Sequence, residues 1–344
     1  MAEEPRKNVN VIFVGMAGSG KTTLLSALSE KLPSYLINLD PACNEPPYSA
    51  DIDIRDTVNY KEVMKEYKLG PNGAIVTSLN LYSTKIDQLL AVLKDKTEPV
   101  LIDTPGQIEV FTWSASGQVI GEGLAFQGPT IYVYVVDTAR CVNNPTTFMA
   151  NMTYACSILY KSRLPLIVVF TKTDVSPATK LEEWMEDYDK YTEALETHQS
   201  YSNELQRSLC YALEEFYKNI LHCCVSSKTG SGFEELIKKI EEAKGMYYTD
   251  YYEPLMKKVE KAKEEEKKKK EKNFEKFEKD KKEENDIDGD FCGCGGIDMC
   301  GEKDEGIVFR NGERFCFGQH PEDQSDEEEG EVIDLDEKKD NVDQ

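Results

Sequence analysis

The sequence predicts an α/β domain with a doubly wound, mostly parallel sheet, followed by a charged C-terminal tail. Three observations carry this. Apolar runs of strand length alternate with amphipathic helical patterns up to about Tyr252. The runs are apolar throughout rather than every second residue, as strands covered on both faces are. The acidic and glycine-containing stretches fall just after the runs, where such sheets bind ligands.

Taken in order, residues 9–14 form the first predicted strand and residues 22–32 the first helix, with Leu24, Leu25, Leu28 and Leu32 at helical spacing. Further strands are predicted at 35–39, 99–102, 130–136, 166–170 and 221–225. Helices are predicted at 58–67, 85–93, 146–160, 181–195, 204–217 and 233–243. After Pro254 the pattern stops. Residues 257–284 are almost wholly Lys and Glu, with only Val259, Ala262, Phe274 and Phe277 apolar. That composition predicts a solvated helix laced with i,i+4 ion pairs. Beyond Gln319 the chain is acidic and poor in apolar residues, which predicts disorder. The predicted division is a nucleotide-binding domain over 1–252 and a charged, cysteine-containing tail over 253–344.

Between the first strand and helix lies Gly15-Met16-Ala17-Gly18-Ser19-Gly20-Lys21-Thr22, which fits G-x-x-x-x-G-K-[ST], the phosphate-binding P-loop. Strand, glycine-rich turn and helix are the context that motif needs. Backbone N–H groups point at the phosphates and the helix N-terminus favours negative charge. Gly15, Ala17, Gly18, Ser19, Gly20, Lys21, Thr22 and Thr23 are the predicted phosphate site. Lys21 is expected to reach the β- and γ-phosphates, and the Thr22 hydroxyl to ligate Mg²⁺.

The remaining candidates also follow strands. Asp103-Thr104-Pro105-Gly106-Gln107 follows the third. Asp103 stands where a strand-end carboxylate holds Mg²⁺ through water. Gly106 can bring a backbone N–H to the γ-phosphate, and Gln107 can orient an attacking water. Thr171-Lys172-Thr173-Asp174 follows the fifth strand. A carboxylate there accepts two N–H groups of guanine that adenine lacks, so Asp174 selects GTP. Lys172 can pack over the base, and Thr171 is expected to supply one hydrogen bond. Ser226 and Ser227 follow the sixth strand in a loop suited to reading the base oxygen. Asp40, after the second strand, is either a solvated turn residue or an aid to metal and water.

Together these stretches resemble one family, the GPN-loop GTPases. The tripeptide that defines it stands as Gly70-Pro71-Asn72. Around it are Leu39-Asp40-Pro41-Ala42, Asp51-Ile52-Asp53-Ile54-Arg55-Asp56, Asp103-Thr104-Pro105-Gly106-Gln107-Ile108-Glu109 and Asn144-Pro145-Thr146-Thr147-Phe148-Met149. The resemblance spans about residues 9–250. Read alone, Gly-Pro-Asn-Gly is an ordinary tight turn. The resemblance implies a P-loop NTPase fold of the dimeric SIMIBI type, homodimeric or heterodimeric with a paralogue. It implies that Asn72 reaches the partner's nucleotide, where its amide does part of the work of an arginine finger. Catalysis would rest on Gln107, Asp40, Asn72 and Lys21. Residues 151–161 and the charged tail are most similar to the larger eukaryotic member. That likeness implies RNA polymerase II subunits or assembly chaperones as partners, and a cytoplasmic location with shuttling to the nucleus. Thr171 departs from the family's usual Asn.

Composition narrows the rest. A net charge of −23 argues against a direct electrostatic grip on nucleic acid. The N-terminus is polar and no apolar run reaches the ~20 residues that span a bilayer. Ten scattered cysteines read as reduced, mostly buried side chains. Cys292, Cys294, Cys300 and Cys316, with His320, lack the paired spacing of a zinc site. An ATP-driven metallochaperone using them is one alternative function. A small-molecule kinase and a GTP-binding scaffold with little hydrolysis are others. Arg140 is expected in a surface ion pair, Trp113 in a segment that responds to the γ-phosphate, and Trp184 in helix packing.

Overall fold

The computed structural model describes residues 8–197, 203–287, 308–310 and 313–315. Cys292, Cys294, Cys300, Cys316, His320 and the acidic stretch beyond Gln319 lie outside them. The chain divides into two compact units, Met1–Glu271 and Lys272–Gln344.

The first unit is built on seven strands: β1 (Asn10–Gly15), β2 (Tyr35–Asn38), β3 (Ile52–Asp53), β4 (Val100–Asp103), β5 (Thr130–Asp137), β6 (Leu166–Thr171) and β7 (Leu221–Cys224). Their order is β3-β2-β4-β1-β5-β6-β7 and every pairing is parallel. Strand side chains alternate between two cores. Val11 and Phe13 of β1 and Ile131, Val133 and Val135 of β5 pack under helices Lys21–Ser29 and Phe233–Met246, with Leu24, Leu25, Leu28, Leu236 and Ile240. Ile12, Val14, Tyr132, Tyr134 and Val136 face the opposite core, which the remaining helices cover. Burial on both faces explains the unbroken apolar runs in the sequence.

The structure amends the expected elements in several places. β3 is additional, and its two residues are too few to show periodicity. The helix expected over 181–195 is two, Thr179–Glu186 and Tyr188–Thr197. Asp187 between them is extended and its carboxylate accepts from the Asp189 N–H at 2.9 Å. Helix Ala115–Gln127 was hidden by its three glycines, although Ser114 caps it by accepting from the Gly117 N–H at 3.0 Å. Gly70-Pro71-Asn72 does not form a free turn. Gly70 is the N-cap and Pro71 the first residue of helix Pro71–Ser83, where a missing N–H costs nothing and φ is already helical.

A π-helical turn, Tyr247–Tyr252, ends the domain's last helix, and the Tyr247 hydroxyl donates to the Ala125 carbonyl. A charged helix then runs from Glu253 to Ile287. Residues Val308–Arg310 and Glu313–Phe315 pair as an antiparallel hairpin.

Candidate active site

Parallel pairing brings the carboxyl ends of β1, β2, β4, β5, β6 and β7 to one edge, and the predicted site residues collect there. The P-loop leaves β1 at Gly15. Its φ is +149°, and a Cβ there would lie 2.5 Å from the Val135 carbonyl oxygen, so only glycine lets β1 turn this close to β5. Thr23 is exposed on the following helix, whereas Lys21 is buried. The Lys21 ammonium donates to the carbonyls of Gly15 at 2.8 Å and Met16 at 3.3 Å. Burial lowers its pKa, with Asp103 and Asp40 opposing.

Asp103 ends β4 and is 2 % exposed. One carboxylate oxygen, Oδ2, accepts from the Thr22 hydroxyl at 2.7 Å and from the Tyr48 hydroxyl at 3.2 Å. The other, Oδ1, is buried without a hydrogen-bond partner among the described residues, as is the Ser19 hydroxyl. Burial raises the Asp103 pKa, opposed chiefly by the Thr22 hydrogen bond and Lys21. A buried carboxylate oxygen left bare next to a hydroxyl is the donor set a hydrated divalent cation takes. Thr22 and Asp103 therefore fit Mg²⁺.

Asp40 follows β2. Its carboxylate accepts from the Ala42 N–H at 2.9 Å and faces the N–H groups of Gly106 and Cys43. Burial raises its pKa, and those N–H groups and Lys21 oppose the shift. Gly106 lies against Ala17: a methyl at Gly106 would sit 3.8 Å from the Ala17 Cβ. The Gln107 amide donates to the side-chain oxygen of Asn72 at 2.9 Å. The Gly-Pro-Asn residues and the Asp-Thr-Pro-Gly-Gln residues thus meet within one chain.

The residues expected on the base side lie after β6 and β7. Asp174 is exposed and accepts from the buried Ser226 hydroxyl at 2.8 Å, with Ser227 next in the same loop. Thr171 differs from its expected role. Its side chain is buried and its hydroxyl lies 2.7 Å from the Ser19 carbonyl and 3.0 Å from that of Val136, so it ties the P-loop to the sheet rather than facing a base. Lys172 has a positive φ of 59°, a strained state for a residue with a side chain. Its ammonium donates to the Gly18 carbonyl and to Asp137, at 2.8 and 2.7 Å.

The sequence assigns no partners to several further residues. Asp137 ends β5, caps the short helix after it, and receives both Lys172 and Arg140. Arg140, expected in an ion pair, makes one at 3.4 Å and also reaches the Ala17 carbonyl. Tyr48 sits 55 positions from the carboxylate it touches. Asn38, Asp53 and Arg55 form a further network. Arg55 grips Asp53 through two nitrogens at 2.6 and 2.9 Å and donates to the carbonyls of Cys43 and Asn44. Trp184 packs on Phe148, with ring centres 5.4 Å apart, and Trp113 on Tyr154 at the same spacing.

Among the described residues no helix is long and apolar enough to cross a membrane. Residues 13–246 match a family described as a conserved hypothetical ATP binding protein. The chain is 52 % identical to GPN-loop GTPase 1 of Dictyostelium discoideum, over 75 % of this chain and 67 % of that one. It is 49 % identical to GPN-loop GTPase 1 of Saccharomyces cerevisiae, over 76 % and 73 %. Among solved structures it is similar to the apo form of the GTPase PAB0955 from Pyrococcus abyssi. The TM-score is 0.61 at 30 % identity, covering 68 % of this chain and 97 % of that one.

Proposed function

The chain belongs to the GPN-loop GTPases and hydrolyses GTP, and on that premise we propose that it is a dimeric, Mg²⁺-dependent switch serving assembly and nuclear import of RNA polymerase II. The observation that carries the switch reading is the Asn72–Gln107 contact at 2.9 Å. It sets the family's tripeptide beside the residue that orients water. The client and the shuttling between cytoplasm and nucleus rest on the similarity to the larger eukaryotic member.

In this reading water attacks the γ-phosphorus in line with the leaving GDP. A P–O bond forms to the water oxygen and the bond to the β–γ bridging oxygen breaks. Lys21 gives up the Gly15 and Met16 carbonyls for phosphate oxygens. Gln107 orients the water, and Asp40 supplies a second acceptor for its protons. The Asn72 oxygen already accepts from Gln107, so its amide hydrogens are left to meet developing negative charge, in its own site or in a partner's. Bound Mg²⁺ would neutralise charge on the β- and γ-oxygens. Asp174, set by Ser226, selects guanine, which favours GTP over the ATP in the matched family's description.

The test is GTP hydrolysis and oligomer mass for wild type and Asn72→Ala, with GTP, GDP and ATP compared. Guanine-selective hydrolysis that falls in the variant while nucleotide still binds is expected. A variant as fast as wild type overturns the role of the loop. Retention of RNA polymerase II subunits in the cytoplasm of cells carrying Asn72→Ala tests the client.

A further inference from the structure

Asp103 uses its two carboxylate oxygens unequally. Oδ2 accepts from two hydroxyls, Thr22 at 2.7 Å and Tyr48 at 3.2 Å, while Oδ1 is buried and bare. Two donors from different directions fill the lone pairs of one oxygen and fix the plane of the carboxylate. The bare oxygen is then presented in a single orientation. The Thr22 donor needs no help, since it lies on the helix that follows the P-loop. Tyr48 lies on the segment between β2 and β3, much of it exposed, and its reach to Asp103 has to be built.

The structure shows how it is built. The Ser26 hydroxyl donates to the Pro47 carbonyl at 3.3 Å, next to Tyr48. The Tyr48 ring packs against the core beneath helix Lys21–Ser29. Earlier in the segment, Arg55 donates to the carbonyls of Cys43 at 3.1 Å and Asn44 at 2.6 Å. Arg55 is itself held by Asp53 of β3, and Asp53 accepts from Asn38 of β2 at 3.0 Å. The β2–β3 pair therefore anchors the segment that aims the Tyr48 hydroxyl.

We propose that Tyr48 is a positioning residue for the metal site: its hydroxyl holds Asp103 so that the bare oxygen faces the water shell of Mg²⁺. The inference rests on the Mg²⁺ reading given above. Partners that orient the groups around a metal strongly influence its affinity even without touching it.

The test is Tyr48→Phe, which keeps the ring in the core and removes only the hydroxyl. Binding of a fluorescent GDP analogue is titrated with Mg²⁺ and measured separately in excess EDTA. The variant is expected to need roughly tenfold more Mg²⁺ for half-maximal stabilisation of the complex, with affinity in EDTA unchanged. An unchanged Mg²⁺ requirement overturns the proposal. So does an equal loss with and without the metal, which would tie the Tyr48 hydroxyl to nucleotide binding independently of Mg²⁺. If wild type itself binds the analogue equally with and without Mg²⁺, the metal reading falls and takes this inference with it.

Discussion

Thr171 and Asp174 stand three residues apart after one strand and do separable work. The Thr171 hydroxyl is committed to carbonyls of the P-loop and of β5. Thr171→Ala should leave buried acceptors short and cost about 1–2 kcal/mol of stability in urea unfolding. It should also weaken GTP and ATP binding by the same factor. Asp174→Ala should cost about 1 kcal/mol for the buried Ser226 hydroxyl that loses its acceptor, and should erase at least about a hundredfold of the preference for GTP over ATP, because the two guanine N–H groups then lack an acceptor. Competition binding with both nucleotides separates the two outcomes. Residues in contiguous motifs were legible in the sequence: Lys21, Thr22, Asp103 and Asp174 needed only their strand-end positions. Tyr48 and the Asp137–Lys172 pair were not, and Asp53 and Arg55 stood in a motif whose contacts to Asn38, Cys43 and Asn44 were not, since those partners are brought near only by the fold.

Among the elements, helix Ala115–Gln127 backs the short helix that follows Gln107. It packs on the short helix Ile108–Thr112 that Gln107 caps, and Gly117 lies so close to it that a Cβ would meet the Phe111 carbonyl oxygen at 1.9 Å. Gly117→Ala should push the two helices apart and displace Gln107. The expected result is a fall in hydrolysis of tenfold or more, on the order of 1.4 kcal/mol in the barrier, while nucleotide affinity is kept. Equal losses of binding and hydrolysis would place the damage in the core instead. The same glycines explain why this helix was not visible in the sequence: they lower helix propensity, and they are tolerated here because small residues allow the close approach. The helix that starts at Pro71 was missed for a related reason, since Gly, Pro and Asn serve both in turns and at helix starts.

At the scale of the molecule, the sheet and its two cores hold the buried apolar side chains, and the described stretch Glu260–Phe274 holds none. Every residue described from Glu260 to Phe274 is exposed, so Phe274→Ala should move the melting temperature by less than about 2 °C. Buried acids with weak acidity matter more. Burial pushes the Cys141 and Cys223 thiols up to about 12, Cys210 to about 11 and the Tyr82 hydroxyl to about 12. Their neutral forms are favoured by folding. That contribution is present below the ordinary values of 9.0 and 10.0 and is lost as pH rises through 11 to 12. The melting temperature should fall steeply across that window, and these thiols should resist alkylation at neutral pH until the chain unfolds. The doubly wound class was legible because it depends on the sum of many apolar positions. Strand β3 was not, because two residues carry too little pattern.

The strand order also sets a timetable. β1 is made first yet lies at the centre of the sheet, and its partners are distant: Asn10 pairs beside Val100 on one side and Thr130 on the other. During synthesis the first strand therefore waits for about a hundred residues before either edge is covered. The loop that carries Ser226 comes later still. At roughly 5–20 residues per second, the interval from the first strand to that loop is on the order of 10–40 s. Until β4 and β5 have been made, an apolar segment, Val9–Val14, stands on a nascent chain without its neighbours. The Ser226 hydroxyl that holds Asp174 is made only after the sheet's final strand, so this end of the candidate site is the last to be completed.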